Sequence, residues 1–239
     1  MDRLQILGIL VAIVFWVIGC ERNMNNTNQI PAPAVLRAQD ARASPRTYST
    51  KFPLAENPMS EGGAWINGAT TGLDWGDVFT TVGQTHPHPG PKRYADATAL
   101  LIGTWATDQM AEATVYINKS YNYPEVELRL RSSLSPHVCN GYEIAFALPP
   151  KAYLLIVRWN GPLGDYTVLK EPKGAQYQVK AGDVVKATIV GNIITAYKNG
   201  VKLAEATDNT YATGTPGMGF NEQINGDYGY TSFAAAELP

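Results

Sequence analysis

Seven consecutive residues, Glu125-Val126-Glu127-Leu128-Arg129-Leu130-Arg131, alternate charged and apolar without a break. Successive side chains of a strand point to opposite faces, so an extended run puts Val126, Leu128 and Leu130 on one face. A helix would scatter the same three residues around its axis. Similar short runs recur at residues 111–117, 142–148, 153–159, 183–190, 193–198, 217–220 and 228–235. Pro, Gly, Asn and Asp separate them, and no stretch carries a helical period. Gly191-Asn192 joins one pair of runs, and Asn199-Gly200 joins Tyr197-Lys198 to Val201-Lys202-Leu203. Asn-Gly suits a type I′ hairpin, in which both central residues take positive φ. About a dozen short strands with no helix between them imply an all-β fold of antiparallel sheets packed as a sandwich.

Residues 51–239 are long enough to bury a sizeable core as one domain. The formal net charge of −2 leaves no basic excess to attract nucleic acid. Residues 20–50 read as a flexible tether, rich in Asn, Pro, Ala and Ser and without apolar periodicity. Residues 4–18 are apolar but short of the roughly 20 residues a membrane span needs. They fit the apolar core of a secretory signal, about 7–15 residues.

The end of that run, Val17-Ile18-Gly19-Cys20, resembles a bacterial lipobox. The resemblance implies a signal peptide over residues 1–19, cleavage before Cys20 and lipidation of the Cys20 sulfur. An extracytoplasmic, membrane-anchored lipoprotein is therefore expected, in the outer membrane if the cell is Gram-negative. Only Cys20 and Cys139 are present. With Cys20 lipidated, Cys139 has no intrachain partner and is expected to be a small buried apolar residue.

Gly182-Asp183-Val184-Val185-Lys186-Ala187-Thr188, Gly191 and Ile193-Ile194-Thr195-Ala196-Tyr197-Lys198-Asn199-Gly200 resemble the concanavalin A-like lectin/glucanase superfamily, with its laminin-G-like and 3-keto-disaccharide hydrolase-like domains. Asp208, Tyr211, Gly214, Gly217-Met218-Gly219 and the last aromatic strand fit the same pattern. The resemblance implies an antiparallel jelly-roll β-sandwich, a concave face often used for glycans, and a frequent structural Ca2+. Glu61 and Asp227, near the two ends of the domain, are the expected Ca2+ ligands, and the structural Ca2+ is the one cofactor the sequence points to.

The charged face of residues 125–131 is the expected ligand surface. Period-two alternation puts Glu143 and Ala145 on one face of the next run, and Arg158 with Ile156 on one face of the run after it. Sequential strands are neighbours about two-thirds of the time, so Glu127, Arg129, Arg131, Glu143 and Arg158 are expected to form one solvent-facing charged patch. Glu accepts from sugar hydroxyls, and Arg offers a planar fork. Replacing Arg129 and Arg131 should then abolish binding and leave the fold intact. A ladder of opposite charges across strands is the plainer account of the same pattern. Trp159, just before a turn, and Tyr123 are the expected sugar-stacking residues, while Trp65 and Trp105 close apolar runs and belong in the core.

Catalytic signals are weaker. Laminarinase-like members of the superfamily carry Glu-x-Asp-x-x-Glu on one strand, and here Arg129 and Leu130 interrupt the comparable strand. Glu127 and Glu143 on adjacent strands are the candidate catalytic pair. A lyase would use Arg129, His137 and Tyr142, but the Gln-x-His strand motif is absent. His86-Pro87-His88-Pro89 reads as a solvated loop. The expected function is a cell-surface, lectin-like lipoprotein with a polysaccharide or glycan partner. A glycoside hydrolase or polysaccharide lyase is the alternative, and a structural or protein-binding envelope module the second alternative.

Overall fold

Two antiparallel sheets face each other in the computed structural model, which describes residues 44–88, 96–119, 125–221 and 227–239. The first sheet contains β1 (Thr47–Thr50), β3 (Val78–Thr81), β4 (Gln84–Pro87), β6 (Gln109–Ile117), β11 (Val184–Val190), β12 (Ile193–Lys198), β13 (Val201–Thr207) and β15 (Tyr228–Glu237). Its order is β13-β12-β11-β6-β15-β4-β3, with β1 also paired to β15. The second sheet contains β2 (Trp65–Asn67), β5 (Ala97–Leu101), β7 (Glu125–Ser135), β8 (Val138–Ala147), β9 (Leu154–Gly161), β10 (Tyr166–Lys170) and β14 (Thr215–Asn221), in the order β10-β9-β8-β7-β14-β5-β2. The three runs expected to be neighbours are the adjacent strands β7, β8 and β9. The remaining helical content of the described residues is two single 3₁₀ turns.

Alternation builds the core between the sheets. Val126, Leu128 and Leu130 of β7 join Tyr142, Ile144 and Phe146 of β8 and Met218 and Phe220 of β14. The first sheet answers with smaller side chains, Ala111, Ala113 and Val115 of β6 and Val185, Ala187 and Ile189 of β11, so the layers interdigitate. Each fully buried large aliphatic or aromatic side chain contributes roughly 1.5–3 kcal/mol. Trp65 and Trp105 are buried in this core, as expected. Asn199 and Gly200 both have positive φ, 50° and 78°, as a type I′ turn between β12 and β13 requires.

Two local readings differ from the sequence expectation. The stretch read as tether already pairs with the last strand: β1 lies antiparallel to β15, Tyr48 opposite Ala235. Four alternating polar residues are enough when a partner strand supplies the hydrogen bonds. His86 is a buried β4 residue rather than part of a solvated loop; Phe79 and Tyr116 pack against its ring. The lipobox, most of the tether, Pro89 and Tyr123 lie outside the described residues.

Candidate functional site

The outer face of the second sheet carries a buried ionic cluster. Parity places Glu125, Glu127 and Arg129 of β7 beside Glu143 of β8, since Arg129 is the register partner of Glu143. Arg129 Nη2 lies 2.6 Å from Glu127 Oε2, and Nη1 lies 2.7 Å from Glu143 Oε2. Thr98 Oγ1 accepts from Arg129 Nη2 at 3.2 Å. The Trp159 indole N–H donates to the same Glu143 Oε2 at 2.6 Å. Glu125 accepts from the Tyr153 hydroxyl on one oxygen and from the Asn221 amide on the other at 3.0 Å.

This face is not the solvated surface that the charge pattern implies. Glu125, Glu127, Arg129 and Glu143 are all buried, Arg129 completely. The cover comes from the segment before β3. Leu73 and Trp75 pack over the sheet against Cys139, Val157 and Trp159. The Arg129 guanidinium carbon sits 5.1 Å from the Trp75 ring centre, within cation–π range. Cys139 is a free, buried member of this second apolar cluster, in the role expected of it.

Burial dominates the protonation of the cluster. It pushes Glu125 up to about 7, against the hydrogen bonds from Tyr153 and Asn221. It raises Glu127 well above the usual carboxylate range, with the Glu143 charge adding and the Arg129 charge opposing. Asp96, at the entry to β5, is raised by the same two causes, burial first and then Glu143. For Arg129 burial works downward, but Glu143 and Glu127 more than reverse it and keep the guanidinium charged.

Beside the cluster lies a cavity of about 220 Å3, lined by Asp96, Glu125, Glu143, Asn221, Tyr153 and Tyr166, with Leu155, Val157 and Trp159 completing the wall. Glu143 is the one residue of the expected catalytic pair that reaches it; Glu127 lies beneath, closed off by Arg129. Trp159 lines the cavity, but its ring is already packed between Trp75, 4.3 Å between centres, and Tyr166, 5.2 Å. Tyr166 is half exposed and offers the open aromatic face.

The structure separates the other two arginines from this patch. Arg131 sits where the β7–β8 register shifts between Leu130 and Ser133, and its φ is +45°. The bulge re-aims its side chain, as bulges do. Its guanidinium donates to the backbone oxygens of Thr107, Tyr211 and Gly191 and pairs with Asp108. Arg158 points to the core side of β9 and pairs with Asp208 at 2.7 Å. Arg129 and Arg131 are thus both engaged in contacts within the fold, and their joint replacement is expected to destabilise it.

Glu61 and Asp227 are not brought together. Glu61 accepts from Tyr48, Thr50 and Trp65, near the Ala235 end of β15. Asp227 precedes Tyr228 at the other end of that strand, where its backbone oxygen accepts from Asn118 and Lys119. The eight residue steps from Asp227 to Ala235 span about 26 Å. Among the described residues no group of three or more His, Cys, Asp or Glu side chains has the arrangement of a metal site.

Asp96, Glu125, Tyr153, Tyr166 and Asn221 were not among the expected site residues. Glu125 was visible in principle, because it shares the parity of Glu127 and Arg129. Asp96 and Asn221 arrive through pairing of β14 with β5 and β7, distant in sequence and without a local signal.

No protein-family model matches the chain, and no curated protein matches it. Solved structures do. The VIP36 exoplasmic/lumenal domain, in its Ca2+/Man-bound form, is 12% identical over 80% of this chain and 89% of its own, with a TM-score of 0.56. The Emp46p carbohydrate recognition domain, in a potassium-bound form, is 12% identical over 79% and 95%, with a TM-score of 0.53. The carbohydrate-binding module CBM66 from Bacillus subtilis is 15% identical over 75% and 95%, with a TM-score of 0.52. The chain thus has the concanavalin A-like lectin/glucanase fold, a jelly-roll sandwich.

Proposed function

We propose that the protein binds carbohydrate, and that the sugar enters the cavity between Asp96, Glu143 and Tyr166. The composition of the cavity wall carries this reading. Three carboxyls and the Asn221 amide share it with the phenol rings of Tyr153 and Tyr166. Carboxylate and amide oxygens accept from sugar hydroxyls, and an aromatic face covers the apolar side of a sugar ring. The fold shared with a Man-bound exoplasmic/lumenal domain, a carbohydrate recognition domain and a carbohydrate-binding module supports the same reading by analogy. The volume of about 220 Å3 is below the roughly 300–1,000 Å3 of drug-sized ligand sites, which suits one sugar ring of a chain end or branch.

One observation favours a second reading, hydrolysis. Glu125, raised to about 7, and Glu143 line the same cavity, so two carboxyl groups, one of them able to donate a proton near neutral pH, flank one space. The pair on which hydrolysis would rest is then Glu125 with Glu143. A uronate-cleaving lyase has no such support, because both Arg129 guanidinium ends are engaged by Glu127 and Glu143. Attachment to a membrane through Cys20 and an extracytoplasmic position belong to the proposal on the strength of Val17-Ile18-Gly19-Cys20.

Size-exclusion chromatography with light scattering tests the reading on the full chain in mild detergent, mixed with a panel of polysaccharides. Co-elution with polymer of unchanged mass is the expected result. A falling polymer mass moves the assignment to hydrolysis, and no interaction with any polymer overturns it.

A further inference from the structure

Among the described residues, the cavity and the cluster beneath it hold more carboxyl groups than cations. Four carboxyls, Asp96, Glu125, Glu127 and Glu143, surround one cation, Arg129. That cation is spent on Glu127 and Glu143. The other described elements packed here add no cation: β9 presents Leu155, Val157 and Trp159, β10 presents Tyr166, and β8 adds Cys139 beside Glu143. The Tyr153 hydroxyl is committed to Glu125. Arg131 and Arg158 are turned away.

Asp96 makes the imbalance specific. It is 5% exposed and lines the cavity, yet no described residue donates a hydrogen bond to its carboxyl. Its charge is felt by Glu143, Glu125 and Arg129 only through space. Glu143 shows the same one-sidedness, with Trp159 and Arg129 both converging on Oε2. A buried carboxyl without a donor is costly, and a ligand that supplies a charged donor removes that cost.

We infer that the cavity is built for a sugar bearing a primary ammonium group, with Asp96 as its main counter-ion and Glu143 and Glu125 as further acceptors. This rests on the carbohydrate reading and names its ligand class. An ammonium offers three donors around one point charge, which suits several carboxyls on different strands. Among the described residues no group of three His, Cys, Asp or Glu side chains has the arrangement of a metal site. An acidic sugar would bring a further anion to three carboxyl groups with no cation among the described residues free to meet it. Burial raises Asp96 and holds Glu125, at about 7, partly protonated near neutral pH, so the incoming ammonium displaces a proton from Glu125 to the buffer.

Isothermal titration of the full chain in mild detergent, with glucosamine oligomers and N-acetylglucosamine oligomers of equal length at pH 7, tests this. The free-amine series is expected to bind at least tenfold tighter. Its heat should vary with the ionisation enthalpy of the buffer, reporting proton release. Asp96→Asn should remove the preference for the free-amine series; Glu125→Gln, at a position that is partly neutral already, should reduce it and serves if the first variant folds poorly. Equal or tighter binding of the acetylated series overturns the ammonium inference while the carbohydrate reading stands. Failure of both series and of every polysaccharide in the panel overturns both. Binding of a lysine-rich peptide with no binding of either sugar overturns the sugar assignment.

Discussion

Glu127 and Arg129, two residues apart on β7, close on each other at 2.6 Å directly over the backbone of Gly219 on the neighbouring strand. Gly219 is the register partner of Glu127. A Cβ there would stand 2.3 Å from Glu127 Oε2 and 2.9 Å from Arg129 Nη2. The glycine is thus required by the ion pair, not by its backbone angles. Gly219→Ala should destabilise the fold by about 1–3 kcal/mol, the range for overpacking a filled interior. A urea midpoint equal to that of the unmodified chain would show that the ion pair can shift aside.

Among the described residues Arg129 is the one cation paired with Glu127 and Glu143, the two carboxyls buried with it. Removing one partner of a buried ionic group leaves uncompensated charge and costs about 3–5 kcal/mol. Arg129→Met should lose stability on that scale in equilibrium unfolding at pH 7. Adding Glu127→Gln and Glu143→Gln to Arg129→Met should recover part of the loss, because the orphaned charges are then gone. If the triple variant is no more stable than the single one, packing of the guanidinium against Trp75 matters more than its charge.

The layered core was legible because period two is a geometric property of any strand: Val126, Leu128 and Leu130 could only lie together. Asn199-Gly200 announced its turn through the demand for positive φ. What alternation cannot reveal is the environment of the opposite face. Trp75 and Leu73 come from a segment about fifty residues earlier, and their packing turned an expected wet patch into a dry ionic cluster. Arg131 escaped for a different reason. One bulge between Leu130 and Ser133 breaks the parity on which its placement depended.

Glu125 makes stability depend on pH in a definite direction. Its carboxyl is raised from 4.5 to about 7 by burial, so the folded chain holds that proton more tightly than the unfolded chain. The contribution is fully present below about pH 4.5 and is lost as pH rises through 7, at up to roughly 1.4 kcal/mol per pH unit. Asp96 and Glu127 are shifted upward too and act with the same sign. Glu125→Gln should flatten the decline between pH 4.5 and 7 without removing it, as read from unfolding midpoints across that range. A variant whose pH profile superimposes on that of the unmodified chain would mean that Glu125 is not held protonated.

Tyr166 and Arg158 separate the observed site from the expected one. Their Cα positions are close, since Tyr166 pairs with Trp159, the residue after Arg158. Yet Tyr166 lines the cavity with a half-exposed ring, while Arg158 crosses to Asp208 and Thr210 on the other side of the sheet. Tyr166→Ala should weaken glycan binding about tenfold, roughly 1.4 kcal/mol, with little effect on stability because β10 is an edge strand. Arg158→Ala should leave affinity within about twofold and lower stability by about 1–3 kcal/mol through the Asp208 network. Affinity and urea midpoint measured on both variants decide the matter. Loss of binding in Arg158→Ala with unchanged stability would return the ligand to the charged patch that alternation first suggested.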